Sequence, residues 1–444
     1  MKYSIVGFGK TGQAVADFLI KRGLSEEFFV YNDSKIDKDI KNKFKGINFY
    51  EGNENFKKLL ESETLILSPG VNGKDKRFDK IREKVDIISE IELAYRFIDS
   101  KIIAITGSNG KSTTVSLVYH LLKKAGKKVV LAGNIGIPVI SEIEKINKSE
   151  FVIMELSSFH LEEINTFKPY IATILNITPD HLDRYSNLDE YIDAKFNIFK
   201  NSNNSTYNIL NLNLKDLKTK FDFVKNPFYF SSSVHSEKGA FAEHDSITIN
   251  HNDMKITLPI INNPLKGIHN IENITVSFLI SFLAESPLDR VIEELQSFKG
   301  LPHRMEFCGE KDGVKFYNDS KATNIDATLK SLQSFENNVV LILGGKDKGG
   351  DFTQLLPDIK KRTKTVFLIG DASEKIYTQL KEIKNKLEFV NSLEDAVIRG
   401  YEILKNNGYV LLAPGCASFD MFKNFEHRGD TFKKTVKRFI KKNG

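Results

Sequence analysis

The run Ile103-Ala-Ile-Thr-Gly-Ser-Asn-Gly-Lys-Ser-Thr-Thr114 limits what this chain can fold into more than any other stretch. Apolar positions lead into Thr106 as in a buried strand, and Gly107 and Gly110 free the backbone for a tight turn. Val115, Val118, Leu121 and Leu122 then recur at helical spacing. A strand, a glycine loop and a helix opening on Lys111 and Ser112 make a polyphosphate cradle. Loop N–H groups and the helix dipole attract the anion, Lys111 adds a point charge, and the Ser112 hydroxyl can ligate Mg²⁺. The spacing departs from the commonest phosphate loop, which has four residues between its first glycine and the Gly-Lys pair. Here Ser108 and Asn109 alone separate Gly107 from Gly110, and Ile105 stands where that first glycine would be.

A second glycine loop opens the chain. Tyr3-Ser-Ile-Val-Gly7 is a short apolar strand, followed by Gly7-x-Gly9-x-x-Gly12 and a helical pattern through Val15, Phe18 and Leu19. A further strand over Phe28–Tyr31 ends at Asn32-Asp33, which places an acid where a ribose hydroxyl would sit in a dinucleotide-binding unit. Taken alone, this fingerprint proposes a nicotinamide dehydrogenase. The run from Thr64 to Val71 reads as a strand entering a turn, with Ser68 placed to face a ligand. Residues 89–97 read as a short amphipathic helix, and Asp99-Ser100 as a linker.

The middle of the chain continues as α/β, with compact apolar runs at 128–131, 151–154 and 171–175, as in a sheet buried on both faces. Polar chemistry collects where these strands stop: Asn134, then Glu155-Leu-Ser-Ser158, then Asn176 through Tyr185, which contains Asp180-His181 and Arg184. Ligands of open parallel sheets sit at such carboxyl ends, so these loops should share one crevice with the phosphate cradle. Lys195 falls on the apolar side of a helix with Tyr191 and Phe199, and spacing alone favours a snorkelling stem with its ammonium in water. Alternating stretches at 246–249 and 255–258 predict antiparallel strands with one wet face. Helical patterns return at 270–283 and 288–298.

The last third repeats the α/β rhythm, with strands at 339–345, 365–370 and 409–414. Loops at 318–324, 344–348 and 416–420 offer Lys321, Thr323, Lys348 and Ser418, donors suited to carboxylates or phosphate oxygens. The tail 431–443 reads as a basic helix docked through Phe432, Val436, Phe439 and Ile440. At 444 residues the chain exceeds one ordinary core, and its length suggests about three domains. The 64 basic and 58 acidic side chains are spread along the sequence, without the dense basic block of a nucleic-acid binder. Cys308 and Cys416 are far apart and form no metal or disulfide pattern. The chain enters its first strand at once, with no leader and no apolar run of membrane-spanning length, so the expectation is a cytoplasmic enzyme.

Together, Thr106-Gly-Ser-Asn-Gly-Lys-Ser112, Glu155-Leu-Ser-Ser158, the 176–184 segment, Lys195, His269-Asn270 and Leu301-Pro-His-Arg304 resemble the Mur ligases in order and spacing. These are ATP-dependent amide-forming enzymes of bacterial cell-wall precursor synthesis. The Gly7–Gly12 loop and the run Cys416-Ala-Ser-Phe-Asp-Met-Phe-Lys-Asn-Phe-Glu-His-Arg-Gly429 look like the branch that adds D-glutamate. The resemblance implies three domains: a Rossmann-like N-terminal domain (1–98), a central ATPase of phosphate-loop type with a parallel sheet and a small antiparallel part (99–299), and a Rossmann-like C-terminal domain (300–444). It implies ATP and Mg²⁺ as cofactors, with UDP-N-acetylmuramoyl-L-alanine and D-glutamate as substrates. Neither nucleic acid nor membrane is expected as a partner, and the protein is expected to be a monomer.

Residue by residue, the resemblance puts ATP on Gly107, Ser108, Asn109, Gly110, Lys111, Ser112, Thr113, Asn270, Asn273, Arg304 and Asp319. The uridine substrate falls to Lys10, Thr11, Asp33, Ser34, Ser68, Asn134 and Ser157. Lys10 departs from the family's apolar residue, so only a backbone contact carries over there, and Ser34 keeps the hydroxyl of a threonine. D-Glutamate falls to Lys321, Thr323, Lys348, Ser418 and Phe425, the last through its backbone. Lys195 matches a lysine carried as a carbamate, which would help bind a second Mg²⁺ with His181 and Glu155, while Ser112 and Glu155 would hold the first against the ATP phosphates. The catalytic set is then Lys111, Glu155, His181 and Lys195. The alternatives are a sibling ligase adding another amino acid, or a dehydrogenase using the first glycine loop for NAD.

Overall fold

A computed structural model describes the chain at every position except 136, 182, 183, 215, 216, 261, 262, 264, 266, 443 and 444, and the side chains of the described residues except 268 and 442. Five strands near the N-terminus are β1 (Tyr3–Val6), β2 (Phe28–Asn32), β3 (Asn48–Glu51), β4 (Thr64–Leu67) and β5 (Asp86–Ser89). They form an all-parallel sheet in the order β3-β2-β1-β4-β5. Strand order reverses at β1, so its carboxyl end opens a crevice where the first glycine loop and the helix Lys10–Lys21 lie.

The second sheet has nine strands: β6 (Lys101–Thr106), β7 (Val129–Gly133), β8 (Phe151–Glu155), β9 (Ile171–Ile174), β10 (Tyr207–Asn211), β11 (Pro227–Ser231), β12 (Gly239–Glu243), β13 (Ser246–His251) and β14 (Met254–Pro259). Their order, β14-β13-β12-β11-β10-β9-β6-β8-β7, sets β6 between β9 and β8 and puts the second glycine loop at a reversal of strand order. The expected antiparallel strands are present as β13 and β14, but they are not a separate layer. β12 pairs parallel with β11 and antiparallel with β13, so the wet part extends the buried sheet at its edge.

The third sheet comprises β15 (Glu306–Lys311), β16 (Val314–Asn318), β17 (Val339–Gly344), β18 (Thr363–Ile369), β19 (Leu387–Phe389) and β20 (Gly408–Leu412). Its order is β15-β16-β20-β17-β18-β19, parallel except for the β15–β16 hairpin. The loops after β16, β17 and β20 therefore emerge from adjacent strands at one end of the sheet. The α/β class and the three sheets agree with the sequence reading. The terminal helix runs Phe425–Lys442 and so begins well before the Thr431 start that apolar spacing suggested.

The chain falls into two compact units. One comprises Met1–Ile177, Arg184–Ile261 and Asn273–Leu295 and carries the first two sheets. The other comprises Thr178–Asp183, Asn262–Glu272 and Gln296–Gly444 and carries the third. Within the first unit the two sheets are joined through the helix Glu90–Tyr95, which lies in the stretch read as a short amphipathic helix and buries its polar positions as well. Residues Glu90 to Ala94 are all buried. Glu90 accepts a hydrogen bond from the Ile140 N–H at 2.7 Å. Glu92 accepts from the N–H groups of Asn165, Thr166 and Phe167 and from the Thr166 hydroxyl. Buried carboxylates persist because their oxygens are paired in this way.

The two acids are shifted in opposite directions. Burial pushes the Glu90 carboxyl up to about 7, with backbone N–H groups of 139 and 140 working against the rise. Burial also opposes ionisation of Glu92, but its hydrogen bonds outweigh it and hold the group below the ordinary glutamate value.

Candidate active site

The second glycine loop is held from several sides. Gly110 adopts φ 82° as the N-cap of the helix Lys111–Lys124, and a Cβ there would lie 2.7 Å from the Asn273 side-chain oxygen. Only glycine combines that dihedral with that approach. Asn176, after β9, clamps the loop reciprocally: its side-chain oxygen accepts from Asn109 N–H at 2.8 Å, and its amide donates to Asn109 O at 3.0 Å. Asn273 accepts from the Thr114 hydroxyl at 3.1 Å, which secures the helix start. Ser108, Ser112 and Thr113 are buried around this turn.

Two lysines meet at the loop. Lys111 Nζ donates to Gly107 O at 2.6 Å and to Ser108 O at 2.8 Å. Lys195 Nζ donates to the same Gly107 O at 3.1 Å, and it lies 4.5 Å from the centre of the Tyr191 ring. Tyr191 in turn pairs its hydroxyl with Ser108 Oγ at 3.0 Å. The snorkelling reading of Lys195 is therefore wrong: the residue is 1% exposed, and its ammonium points into the loop rather than into water. Apolar spacing registers the stem and is blind to where the ammonium goes.

Glu155 ends β8 beside the loop and is 2% exposed. Its Oε1 accepts from the Asn134 amide at 2.8 Å, while Oε2 is buried with no hydrogen-bond partner among the described residues. A buried carboxylate oxygen without a partner is costly, and it is what a cation site presents before the cation arrives. Together with the Ser112 hydroxyl this donor set suits a hard, oxygen-seeking cation such as Mg²⁺. Among the described residues no group of three or more His, Cys, Asp and Glu side chains is assembled for a metal. His181 belongs to the second unit, whereas Ser112, Glu155 and Lys195 belong to the first.

The first glycine loop has different chemistry. Gly7 takes φ 84°, its carbonyl accepts from Ser68 Oγ at 2.7 Å, and a Cβ on Gly12 would lie 2.1 Å from that carbonyl. Phe8 N–H is taken by Asn32 at 3.1 Å, and the Asn32 amide donates to the carbonyl and hydroxyl of Ser34. The Asp33 carboxylate is already engaged: both Arg77 terminal nitrogens donate to it, at 2.9 and 3.0 Å, and Tyr31 OH donates at 2.7 Å. The Arg77 guanidinium, against a burial cost, holds Asp33 below the ordinary aspartate value. Lys10 and Thr11 share a cleft of about 170 Å³ with Pro69, Glu90, Asn134 and His160, which joins this loop to the end of β7.

Ser157 lies next to that cleft through His160. The Ser157 N–H donates to His160 Nδ1 at 3.2 Å, and Ser157 caps the helix Ser158–Leu161. Burial lowers the His160 pKa to about 4, so the ring is neutral at pH 7. Glu90, His160 and Arg77 were not singled out from the sequence, and Asn176 was named only as the start of a polar strand-end segment. None of the first three sits in a recognisable motif, and each of those was found only by its contacts.

In the second unit, Thr323 and Lys348 line a cavity of about 220 Å³ with Asp180, His181, Asn324 and Asp347. Burial opposes ionisation of Asp180, but the charges of His181 and Lys348 and a bond from Asn324 hold it below the ordinary value. Lys321 Nζ lies 4.1 Å from the centre of the Phe425 ring. Ser418 is 2% exposed in the loop after β20. Asp319 is pushed up to about 6 by burial, against the Ser331 hydroxyl that donates to it and the charge of Arg304. Asn270 is buried at the start of the helix Ile268–Leu283.

Comparison with known sequences places three family models along the chain. They are a Mur ligase MurD-like N-terminal domain at residues 1–89, a Mur ligase middle domain at 105–281, and a Mur ligase glutamate ligase domain at 303–416. A relative from Koribacter versatilis is 38% identical over 442 residues, covering 98% of this chain and 96% of its own length. One from Thermoanaerobacter pseudethanolicus is 38% identical over 448 residues, covering 98% of both. Both are named UDP-N-acetylmuramoylalanine–D-glutamate ligase. Among solved structures, a pseudomurein peptide ligase type C from Methanothermus fervidus superposes with a TM-score of 0.61 at 16% identity, covering 99% of this chain and 100% of its own. A MurF ligase from Thermotoga maritima in complex with ADP gives 0.61 at 17% identity, covering 98% and 95%. At those identities the structures speak for the fold alone.

Proposed function

The chain belongs to the Mur ligase family, and from that premise we propose that it joins D-glutamate to UDP-N-acetylmuramoyl-L-alanine with cleavage of ATP to ADP and phosphate. The reading divides the protein into a uridine-substrate domain (1–98), an ATP domain (99–299) and an amino-acid domain (300–444). The substrate assignment is supported by relatives that are alike over nearly the whole chain and share that name.

A free carboxylate does not yield an amide at neutral pH, because oxide is not a viable leaving group. In this reading an oxygen of the alanyl carboxylate attacks the γ-phosphorus of ATP, the bond to the β–γ bridging oxygen breaks, and ADP leaves. The amine nitrogen of D-glutamate then attacks the acyl carbon. Phosphate departs with the C–O electron pair, and the amine gives up a proton.

The chain's own contribution is to hold the phosphates and balance their charge. Backbone N–H groups at 110–112 and the dipole of the helix Lys111–Lys124 receive the polyphosphate, and Lys111 leaves its carbonyl partners to meet it. The observation that carries this half is the buried Oε2 of Glu155, without a hydrogen-bond partner among the described residues, beside a loop whose Gly107 carbonyl accepts from two lysines. Ser112, Glu155, His181 and a carbamate on Lys195 are the groups that would hold Mg²⁺, which when bound neutralises phosphate charge. Carbamylation has a physical motive here. Two ammonium groups share the Gly107 carbonyl in a buried site, and turning one into an anion removes their repulsion.

The test is phosphate release with ATP and UDP-N-acetylmuramoyl-L-alanine while the amino acid is varied singly. Release with D-glutamate and not with L-alanine or a diamino acid is expected. Release with another amino acid in its place would make this a sibling ligase.

A further inference from the structure

Two of the three loops offered to the amino acid are hydrogen-bonded to one side chain that has no role in the scheme above, and the third is tied to it through Ala417. Arg428 is 3% exposed and sits in the first turn of the terminal helix Phe425–Lys442. Both facts argue locally against an arginine: burial penalises its charge, and the helix dipole presents its positive end there. Among the described residues no carboxylate lies within ion-pair distance of it. Burial lowers its pKa to about 10, with Cys416 and Asp420 working the other way, so it stays charged at neutral pH.

Its donors go to loop groups instead. Nε donates to Ser320 Oγ at 2.9 Å, Nη1 to Ala417 O at 3.2 Å, and Nη2 to Ser320 O at 2.9 Å and Cys416 O at 3.1 Å. These partners lie on two loops. Ser320 precedes Lys321 and Thr323, and its hydroxyl donates to Phe425 O at 2.9 Å. Cys416 and Ala417 precede Ser418. Ala417 also exchanges two backbone hydrogen bonds with Lys346, at 2.9 and 3.0 Å, which ties in the loop carrying Lys348. Space is tight around this hub: a Cβ on Gly345 would lie 2.3 Å from Ala417 O and 3.1 Å from Arg428 Nη1.

We infer that Arg428 is the positioning residue of the amino-acid site, fixing the loops at 318–324, 344–348 and 416–420 so that their donors serve one dicarboxylate. The planar fork is what the arrangement needs, because it reaches carbonyls on two loops at fixed angles. A lysine would keep the charge and lose that geometry. The surplus positive charge, left without a carboxylate of the protein, adds to the pull on a substrate that brings two.

This rests on the proposal that D-glutamate binds those loops, and the experiment separates the two. KM for D-glutamate, ATP and UDP-N-acetylmuramoyl-L-alanine is measured for wild type, Arg428→Lys and Ser320→Ala. Arg428→Lys is expected to raise the D-glutamate KM about tenfold and Ser320→Ala about threefold, the scale of losing one or two hydrogen bonds to a charged group, with the other constants within about twofold. An unchanged D-glutamate KM in both variants overturns the inference. So does an equal rise in all three constants with a lowered Tm, which would mark a folding role. If Arg428→Lys does not accumulate as folded protein, Ser320→Ala alone decides. A wild type that does not use D-glutamate defeats the functional proposal before any variant is compared.

Discussion

The loops at 7–12 and 107–112 share one plan. Each leaves a strand at which the order of its sheet reverses, turns on glycines and enters a helix. Their surroundings differ. The later loop carries two lysines on its own carbonyl and borders a carboxylate oxygen with no partner. The earlier one is closed by neutral hydrogen bonds, Ser68 Oγ donating to Gly7 O and Phe8 N–H to the Asn32 side-chain oxygen, and its acid Asp33 is held by Arg77. A strand-glycine-helix junction thus fixes where an anion can sit. In the proposed function, the charges around it decide whether the site activates a phosphate or only holds one.

Breaking the charged loop should cost most. Lys111→Ala should lower the rate of phosphate release by about three orders of magnitude or more, as expected for a lost electrostatic contact to a transferring phosphoryl group. Its Tm should stay near that of wild type, since the hydrogen bonds of Lys111 to Gly107 O and Ser108 O stay within its own loop. Lys195→Ala should lose comparable activity and regain part of it with added acetate or formate if a carbamate is the working form. Absence of rescue would remove the carbamate from the account.

The neutral loop should respond more mildly. Ser68→Ala removes one hydrogen bond, worth about 1 kcal/mol, so KM for the uridine substrate should rise roughly fivefold while KM for ATP is unchanged. A larger effect on ATP would erase the distinction between the loops. The smallest effect concerns the Glu90 clamp beneath that cleft. Its carboxyl is raised from 4.5 to about 7 in the folded protein, so the folded state binds the proton more tightly than the unfolded chain does. Stability should fall as pH climbs through that window, and Glu90→Gln should flatten the dependence of Tm on pH.

Much of this was legible because glycine, apolar runs and strand-end polar residues follow simple spacing rules. The three sheets, the phosphate cradle and the polar loops at 318–324, 344–348 and 416–420 were all visible in that way. What escaped were charged residues placed inside the protein. Glu90 and Glu92 look like the wet side of a helix, yet both are buried on backbone N–H groups. Lys195 looks like a snorkelling stem until its ammonium is found on Gly107. Arg428 hid the first turn of the terminal helix, because hydrophobic periodicity counts a buried arginine as surface. The β15–β16 hairpin escaped for another reason: its outer strand is only partly buried and carries no clean alternation.

The central claim is that the charged loop activates a carboxylate by phosphorylating it. The direct measurement uses UDP-N-acetylmuramoyl-L-alanine labelled with ¹⁸O in the alanyl carboxylate, with ATP, Mg²⁺ and D-glutamate, and reads the released phosphate by mass spectrometry. The account predicts one ¹⁸O carried into each phosphate, because the carboxylate oxygen that attacks phosphorus leaves with it. Amide product accompanied by unlabelled phosphate would contradict it.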